Sequence, residues 1–313
     1  MMMQRGLYVV LGALAGYLLF GTYAAFGYAA IIVNLFTPLP AAYVGMRCGS
    51  RYGGFTVAAT MLLVLLTGGQ AQSLMYLVQF GLPGALLPWL LNRGLGWDKT
   101  VLVVLWSMVT ASIVGLVIYA AFVGQSPLVL TGNLIDKEIA QTSQVMQEMF
   151  AGSDLPADQQ KEIARATAEM TTFLSRAYPG IAVTVSGMML LGLLLMLSVL
   201  ARNRYRIPGS AFQDWKAPEH LVWLLILAGF VLAFTDGVVA TFALNLLVIL
   251  LPVYFLQGLA VIDCFFRRKA FSPIVRAIGY LLVTLINPLP MVVTGIGVFD
   301  LWADFRKPRE PES

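Results

Sequence analysis

Long uncharged stretches alternate with short clusters of charge along the whole chain. Arg5 and Arg47 enclose 41 residues without Asp, Glu, Lys, Arg or His, and Arg51 and Arg93 enclose another 41. Four further uncharged stretches contain 36, 25, 26 and 23 residues. Since a bilayer crossing takes about 20 apolar helical residues, this pattern predicts an all-α protein, a polytopic transmembrane helix bundle with about 8–10 membrane segments.

Each 41-residue stretch is long enough for two crossings, because as one helix it would measure about 62 Å. Two crossings return the chain to its starting side. The cations that flank these stretches are therefore predicted on one side of the membrane, namely Arg5, Arg47, Arg51, Arg93 and Lys99. Breaks are predicted at 21–22, 34–40 and 67–70, where Gly, Pro, Asn and Thr interrupt the apolar residues.

The segment 125–178 has the composition of a soluble protein. Apolar residues recur there at helical spacing before and after Pro156, which predicts a helical hairpin. They are Ile135, Ile139, Met146, Met149 and Phe150, then Ile163, Met170, Phe173 and Leu174. We therefore expect an N-terminal bundle (1–124), an extracytoplasmic amphipathic helical insert (125–178) and a C-terminal bundle (179–313).

After the insert, spans are predicted at 180–201, 219–235 and 238–264, with a turn at Asp236. This threading puts 16 of the 20 basic residues on the cytoplasmic side, as the positive-inside rule prefers. The stretch after Arg276 allows one crossing or a hairpin broken at 287–290. The hairpin is preferred because it returns Arg306 to the cytoplasmic side, where the N-terminus also lies.

Composition and motifs exclude several classes of function. With 59% hydrophobic and 12% charged residues and a mean hydropathy of +0.80, the chain is not an ordinary soluble enzyme. It contains no HExxH, GxSxG or GxxxxGK[ST] motif, its single His220 lies at a helix start, and Cys48 and Cys264 lack metal-ligand spacing. We predict no enzyme activity, no cofactor, no metal and no nucleic-acid partner; ATP-driven activity would need a partner subunit.

Neutral polar residues within the spans are the candidates for ligand binding, because polar groups at membrane depth are costly. The alternative is that they form hydrogen bonds between helices. The candidates are Asn34, Gln79, Asn245, Gln257 and Asn287, and Tyr254 belongs to the same polar set. Asp236 is explained as a turn and Asp263 as an ion pair with Arg267 four residues later.

Two further sequence motifs bear on helix packing and helix breaks. Gly12 and Gly16 form a GxxxG motif, whose small residues let another helix approach closely, either from this fold or from a partner. Pro-Leu-Pro follows Asn at 38–40 and at 288–290. Such breaks are simple kinks or, when they occur in both halves of a transporter, mark its binding site.

The last apolar segment ends in a charged sequence that contains Asp300, Asp304 and Arg306. Asp300 and Asp304 share a helix face, so cations must offset their repulsion. Arg306 or the cluster 267–269 can supply them. We interpret this sequence as a cytoplasmic anchor for the C-terminus.

Nearly the whole chain resembles the YybS-like family of bacterial membrane proteins, with the sharpest motifs in the last third. The resemblance rests on the span that begins at Asn245 and contains 256–262, on the ending 297–307, on Tyr178-Pro179 and on the segment 207–218. It implies a multi-pass protein of the bacterial cytoplasmic (inner) membrane, and the family brings no settled activity. The segment 36–54 and the small residues of the first span are distantly similar to substrate-binding components of energy-coupling-factor transporters.

Two hypotheses follow. The first is a small-molecule binding or uptake component without its own ATPase, which would work with a membrane coupling subunit. The alternative is a non-transporting scaffold of the cell envelope, which acts through protein partners at the GxxxG face or the external hairpin. Both place the chain in contact with the lipid bilayer.

Overall fold

The computed structural model describes residues 2–133, 157–201 and 204–307, together with positions 137, 140, 141 and 144. These residues form helices joined by short turns, and none of them lies in a β-strand. They divide into two compact units: unit 1 contains 1–127 and 185–209, and unit 2 contains 128–184 and 210–313. The predicted all-α helical bundle is confirmed.

The principal helices are numbered in chain order. They are α1 (Met2–Phe26), α2 (Ile31–Asn34), α3 (Leu39–Cys48), α4 (Ser50–Tyr76), α5 (Leu82–Asn92), α6 (Trp97–Val123), α7 (Ala157–Ala201), α8 (His220–Phe234), α9 (Gly237–Arg268), α10 (Pro273–Leu285) and α11 (Leu289–Ala303). A 3-10 turn (Gly27–Ala30) precedes α2, and a π-helical turn (Leu77–Gly81) joins α4 to α5.

Unit 1 begins with α1 and a broken return segment. α3 packs antiparallel to α1. The end of α3 lies beside the start of α1, where the Arg47 guanidinium carbon is 4.4 Å from the centroid of the Tyr8 ring. The predicted break at 34–40 is present, since a turn separates α2 from α3 and two prolines open α3. The predicted break at 21–22 is wrong. α1 continues to Phe26, and Thr22 Oγ1 donates to the Leu19 carbonyl within the helix.

The segment Ser50–Asn92, which contains α4 and α5, folds into an antiparallel hairpin. The chain reverses at Gly69, whose φ of 78° and ψ of −173° are not helical. On either side of it, Ser73 Oγ donates to the Met61 carbonyl at 3.4 Å, and at the open end Asn92 Nδ2 donates to Ser50 Oγ at 3.0 Å. The 43-residue apolar segment Ser50–Asn92 is therefore folded in two, with its turn inside the predicted break at 67–70.

The cations of unit 1 gather at one end. α4 runs parallel to α1, since Thr60 Oγ1 donates to the Ala13 carbonyl and the Arg5 guanidinium lies 5.6 Å from the Tyr52 ring centroid. The hairpin then brings Arg93 back to the same end. The apolar core of unit 1 includes Val104 of α6 and Leu190 of α7.

Unit 2 is built around α9. α8 and α9 are antiparallel and meet at the exposed Asp236, followed by Gly237 with φ of 70°, so the predicted turn is present. The first part of α7 runs parallel to α9: Gly180 N–H donates to Asn245 Oδ1, and one turn later Thr184 Oγ1 donates to the Val248 carbonyl at 3.0 Å.

α10 and α11 form a bent pair that starts and finishes at the same end of α9. The two helices meet at an angle of 102° across residues 286–288. α10 begins five residues after α9 ends, and after α11 the Lys307 carbonyl accepts a hydrogen bond from Arg268 Nη1. Phe305 shares a shallow groove with Cys264 and Phe265. The pair therefore has the form of the preferred hairpin rather than of a single crossing.

By length and composition, five described helices can cross a membrane, or six with the bent pair counted as one span. The 15-residue α8 is also apolar. Ser50–Asn92 supplies two of the predicted segments. α7 runs without interruption across residue 178, where the insert was expected to end. Five apolar positions of the first helix of the predicted external hairpin lie outside the described residues, namely Ile135, Ile139, Met146, Met149 and Phe150.

Candidate functional site

In unit 2, α9 and α11 pack backbone against backbone at two glycines. A methyl group added to Gly258 would overlap the Val293 carbonyl, and one added to Gly297 would overlap the Tyr254 carbonyl. Only glycine permits the two backbones to approach this closely. Beside this contact lies a set of polar residues that we call the unit 2 polar cluster. Gln213, Gln257, Asp300 and Arg306 are joined by an ion pair and hydrogen bonds. Tyr254 is grouped with them because it precedes Gln257 by three residues on α9, which places both on one helix face.

A carboxylate is fully buried at the centre of the cluster. Asp300 has no exposed surface, and its Oδ2 lies 3.0 Å from Arg306 Nη2 and accepts a hydrogen bond from Gln257 Nε2 at 3.3 Å. Gln257 is itself buried, and its Oε1 accepts from the Ala217 backbone N–H at 3.0 Å. The predicted candidate Gln257 therefore lies beside a charged pair, in which Arg306 is the cation that neutralises Asp300.

Arg306 also holds the loop before α8. Its Nη1 donates to the Gln213 carbonyl at 2.8 Å and to the Trp215 carbonyl at 2.7 Å. The guanidinium thus joins the end of α11 to a loop some 90 residues earlier. These contacts have the form of the predicted anchor of the C-terminal segment.

Several buried polar atoms of the cluster have no hydrogen-bond partner among the described residues. They are Gln213 Oε1, Tyr254 Oη, Asp300 Oδ1, Arg306 Nε and Arg306 Nη2, of which the last still makes the ion pair with Asp300. A buried polar group without a hydrogen bond costs about 1–3 kcal/mol. The cluster therefore carries donors and acceptors that water or a polar solute would satisfy.

A second carboxylate, Asp304, follows Asp300 by four residues and has its own cations. Asp304 is 3.0 Å from Lys216 Nζ through Oδ1 and 3.0 Å from Lys307 Nζ through Oδ2. These two ammonium groups hold the pKa of the Asp304 carboxyl below its ordinary value. Asp300 and Asp304 thus have separate cations, so the repulsion expected between them is offset.

A separate carboxylate fastens α10 to α9. Asp263 is buried, and its Oδ2 accepts from Arg267 Nε at 3.0 Å, as predicted from the spacing. Its Oδ1 accepts from the Tyr280 hydroxyl at 2.7 Å and lies 4.0 Å from Arg276 Nη1. This carboxylate is fully engaged, in contrast to Asp300.

The candidate Asn245 forms hydrogen bonds with backbone groups of α7 next to a proline. Pro179 lies inside α7, and Gly180 N–H and the Arg176 carbonyl are a pair that an uninterrupted helix would join. The Asn245 amide bridges them: Oδ1 accepts from Gly180 N–H at 2.6 Å, and Nδ2 donates to the Arg176 carbonyl at 2.7 Å and to the Thr241 carbonyl at 2.8 Å. All its polar atoms are engaged in contacts between α7 and α9.

The three remaining candidates lie apart from the cluster. Asn34 makes local bonds in unit 1, with Nδ2 donating to the Phe20 carbonyl and Oδ1 accepting from Thr37 Oγ1. Gln79 is exposed on the π-helical turn of unit 1. Asn287 is exposed at the bend between α10 and α11.

The GxxxG face is covered within unit 1. A methyl group at Gly12 would lie 3.0 Å from Thr56 Cγ2 and 3.1 Å from Val44 Cγ2, and one at Gly16 would lie 3.2 Å from Thr60 Oγ1. Both glycines therefore pack α1 against α3 and α4. Of the two alternatives left open by the sequence, the internal contact is present.

Sequence reasoning found Gln257 and the pairing options of Asp300. It placed Tyr254 in the polar set without making it a ligand candidate, and it did not predict the burial of Asp300. The available signal was Gly258 and Gly297, which place small residues one turn from these polar groups. Among the described residues, no group of three or more His, Cys, Asp or Glu side chains is arranged to hold a metal ion.

Comparison with known proteins gives one match. Residues 15–301 match the family model described as a predicted membrane protein, DUF2232. No curated protein and no solved structure matches the chain.

Proposed function

Since the chain belongs to the DUF2232 family of predicted membrane proteins, we propose that it is a membrane-embedded component that binds a small polar solute for uptake. It has no ATP-binding loop in its sequence, so a coupling subunit or an ion gradient would supply the energy. The bacterial cytoplasmic membrane is its proposed location, with both termini on the cytoplasmic side. We also propose that the chain is YybS-like and that it is distantly related to the substrate-binding components of energy-coupling-factor transporters.

The unpaired atoms of the unit 2 polar cluster carry the proposal. A polar group inside a membrane bundle normally has a partner, because hydrocarbon offers none. Tyr254 Oη and Asp300 Oδ1 are buried and unpartnered in the described residues, while neighbouring Gln257 and Arg306 are held in place by the backbone of 213–217. Such a fixed set, with free donors and acceptors, is what a binding site for a polar solute needs.

The bent pair α10–α11 adds support. Half-length helices that end within the bundle are a recurring element of transporters, where they bring polar groups to the substrate. α11 carries Asp300 one turn before its end and packs through Gly297 against α9.

The test is native mass spectrometry of the full chain purified gently in detergent. We expect a small-molecule adduct above the lipid background, with stoichiometry near one. The variant Asp300→Asn keeps the side-chain volume but removes the charge, and it should reduce adduct occupancy about tenfold, since a charge-assisted hydrogen bond contributes about 1.5–3 kcal/mol. Asp236→Asn, at an exposed turn, is the matched control and should retain the adduct.

Two outcomes would overturn this function. One is a wild-type chain that carries lipid alone under all gentle conditions. The other is an adduct whose occupancy is the same in Asp300→Asn and Asp236→Asn while both variants remain folded by circular dichroism.

A further inference from the structure

Unit 1 has an extreme imbalance of charge. Its residues include a single acid, Asp98. Its described cations are Arg5, Arg47, Arg51, Arg93, Lys99, Arg204 and Arg206. None of these unit 1 cations forms an ion pair with a described carboxylate. A single carboxylate cannot offset these cations, so this end of the unit carries a strong excess of positive charge.

Two of these arginines converge on one oxygen. Arg47 Nη1 donates to the Tyr43 hydroxyl at 2.7 Å, and Arg204 Nη1 donates to the same hydroxyl at 3.2 Å. The two residues are 157 positions apart in sequence, so the fold and not a local helix spacing brings them together. Two like charges held on one neutral acceptor repel each other, and an anion between them would remove that repulsion.

The geometry leaves donors available for such an anion. The Tyr43 oxygen accepts from both guanidinium groups, so its own hydrogen can be donated outward. Each guanidinium has further N–H groups in a planar fork, and both arginines are exposed. Arg47 is held in place by its position 4.4 Å from the Tyr8 ring centroid and 5.8 Å from that of Tyr43.

We propose that Tyr43, Arg47 and Arg204 form a binding site for a phosphate group, which we call the unit 1 phosphate site. A tetrahedral phosphate offers several oxygens to the two forks and to the tyrosine hydroxyl at the same time. The phosphate can belong to an anionic phospholipid headgroup or to free inorganic phosphate. This site is independent of the solute site proposed in unit 2.

The position of the site suits a headgroup. Aromatic residues surround the cationic end, with Tyr8, Tyr43 and Tyr52 beside the arginines and Trp89 beneath Arg93 at 3.9 Å. Belts of Tyr and Trp mark the level of the headgroups in membrane proteins, and cationic residues there attract anionic lipids.

The experiment uses the full chain in detergent, with phosphatidylglycerol, phosphatidylcholine and inorganic phosphate as probes in native mass spectrometry. Wild type should retain phosphatidylglycerol at least about tenfold more tightly than phosphatidylcholine. The double variant R47Q/R204Q should lose about tenfold or more in affinity for phosphatidylglycerol, because it removes two charge-assisted donors. Tyr43→Phe keeps both charges and should show a smaller loss.

The control variant R268Q/K269Q removes two cations from the end of α9 and should bind like wild type. Equal losses in the two double variants would overturn the site in favour of a general charge effect, as would unchanged binding in R47Q/R204Q. The probes separate the two sources. Displacement of the lipid by millimolar inorganic phosphate assigns the site to free phosphate, and retention of the lipid assigns it to the headgroup.

Discussion

The two units use charge in opposite ways. In unit 2, the acids Asp263, Asp300 and Asp304 each have a cation within 3.0 Å, and they fasten helix ends and loops to one another. In unit 1 the cations stay at the surface, and a single acid accompanies them. Loss of a charge should therefore destabilise unit 2, whereas in unit 1 it should change what the protein binds.

The largest effect is expected from Arg306→Ala. It leaves the buried Asp300 without its cation, and breaking a buried pair costs about 3–5 kcal/mol. Thermal unfolding in detergent should show the loss. Arg51→Ala, which removes an exposed cation of unit 1, is the comparison and should change the free energy of unfolding by less than about 0.5 kcal/mol. If the two variants are equally stable, the contrast between the units is wrong.

A double variant tests whether the unpaired charge of Asp300 causes this loss of stability. Asp300→Asn combined with Arg306→Gln removes both charges and should recover part of the stability lost in Arg306→Ala, since no buried charge is left alone. A double variant that is less stable than Arg306→Ala would show that the guanidinium acts through its bonds to the Gln213 and Trp215 carbonyls instead.

The next effect in size concerns helix packing beside the cluster. Gly297→Ala introduces a methyl group where the Tyr254 carbonyl lies, so α9 and α11 must separate, at a cost of about 1–3 kcal/mol. Gly295→Ala on the same helix is the control, because nothing lies within 4 Å of its added methyl group. A fall in the unfolding temperature for Gly297→Ala alone is the expected result.

A similar cost is expected at the interrupted turn of α7. Asn245→Ala leaves Gly180 N–H and the Arg176 carbonyl without their bridge, which should cost about 1–3 kcal/mol. Asn287→Ala, at an exposed bend, should be within about 0.5 kcal/mol of wild type. Chemical denaturation of both variants measures the difference. If Asn245→Ala instead retains full stability but loses a bound solute, Asn245 is a ligand residue after all.

The smallest effect is the pH dependence contributed by Asp304. Its pKa is lowered in the folded protein by Lys216 and Lys307, so it adds stability above the ordinary aspartate pKa of about 3.9. This contribution is lost as the pH falls through the lowered pKa of the folded state. Lys216→Gln should flatten the acid limb of a stability–pH curve, whereas Arg165→Gln, on an exposed pair, should leave it unchanged.

The arrangement of segments could be predicted from the sequence where the spacing of charges and the positions of turn-forming residues determine it. The 41-residue stretches predicted a return to the same end, and Arg5, Arg47 and Arg93 do lie there. The Gly at 69 and the Asp-Gly at 236 predicted their turns because these residues favour non-helical backbone. The break at 21–22 failed because a glycine in an apolar helix need not interrupt its hydrogen bonds.

The candidate site was less predictable because its contacts are distant in sequence. Asn245 meets Pro179 and Gly180 from another helix, so its bridging role has no local signal. Arg306 is six residues after Asp300, a separation that no straight helix brings together. The pair forms because α11 ends at Ala303 and Asp304 adopts a positive φ of 42°, which turns the chain back.

The most direct test of the central claim compares two tyrosines of unit 2. Tyr254→Phe removes a buried hydroxyl that has no partner, and Tyr280→Phe removes one that donates to Asp263. If the polar cluster binds a solute, Tyr254→Phe should keep the wild-type unfolding temperature and lose the native adduct, while Tyr280→Phe should be less stable by about 1–3 kcal/mol and keep the adduct. Retention of the adduct by folded Tyr254→Phe, at wild-type occupancy, would contradict the account.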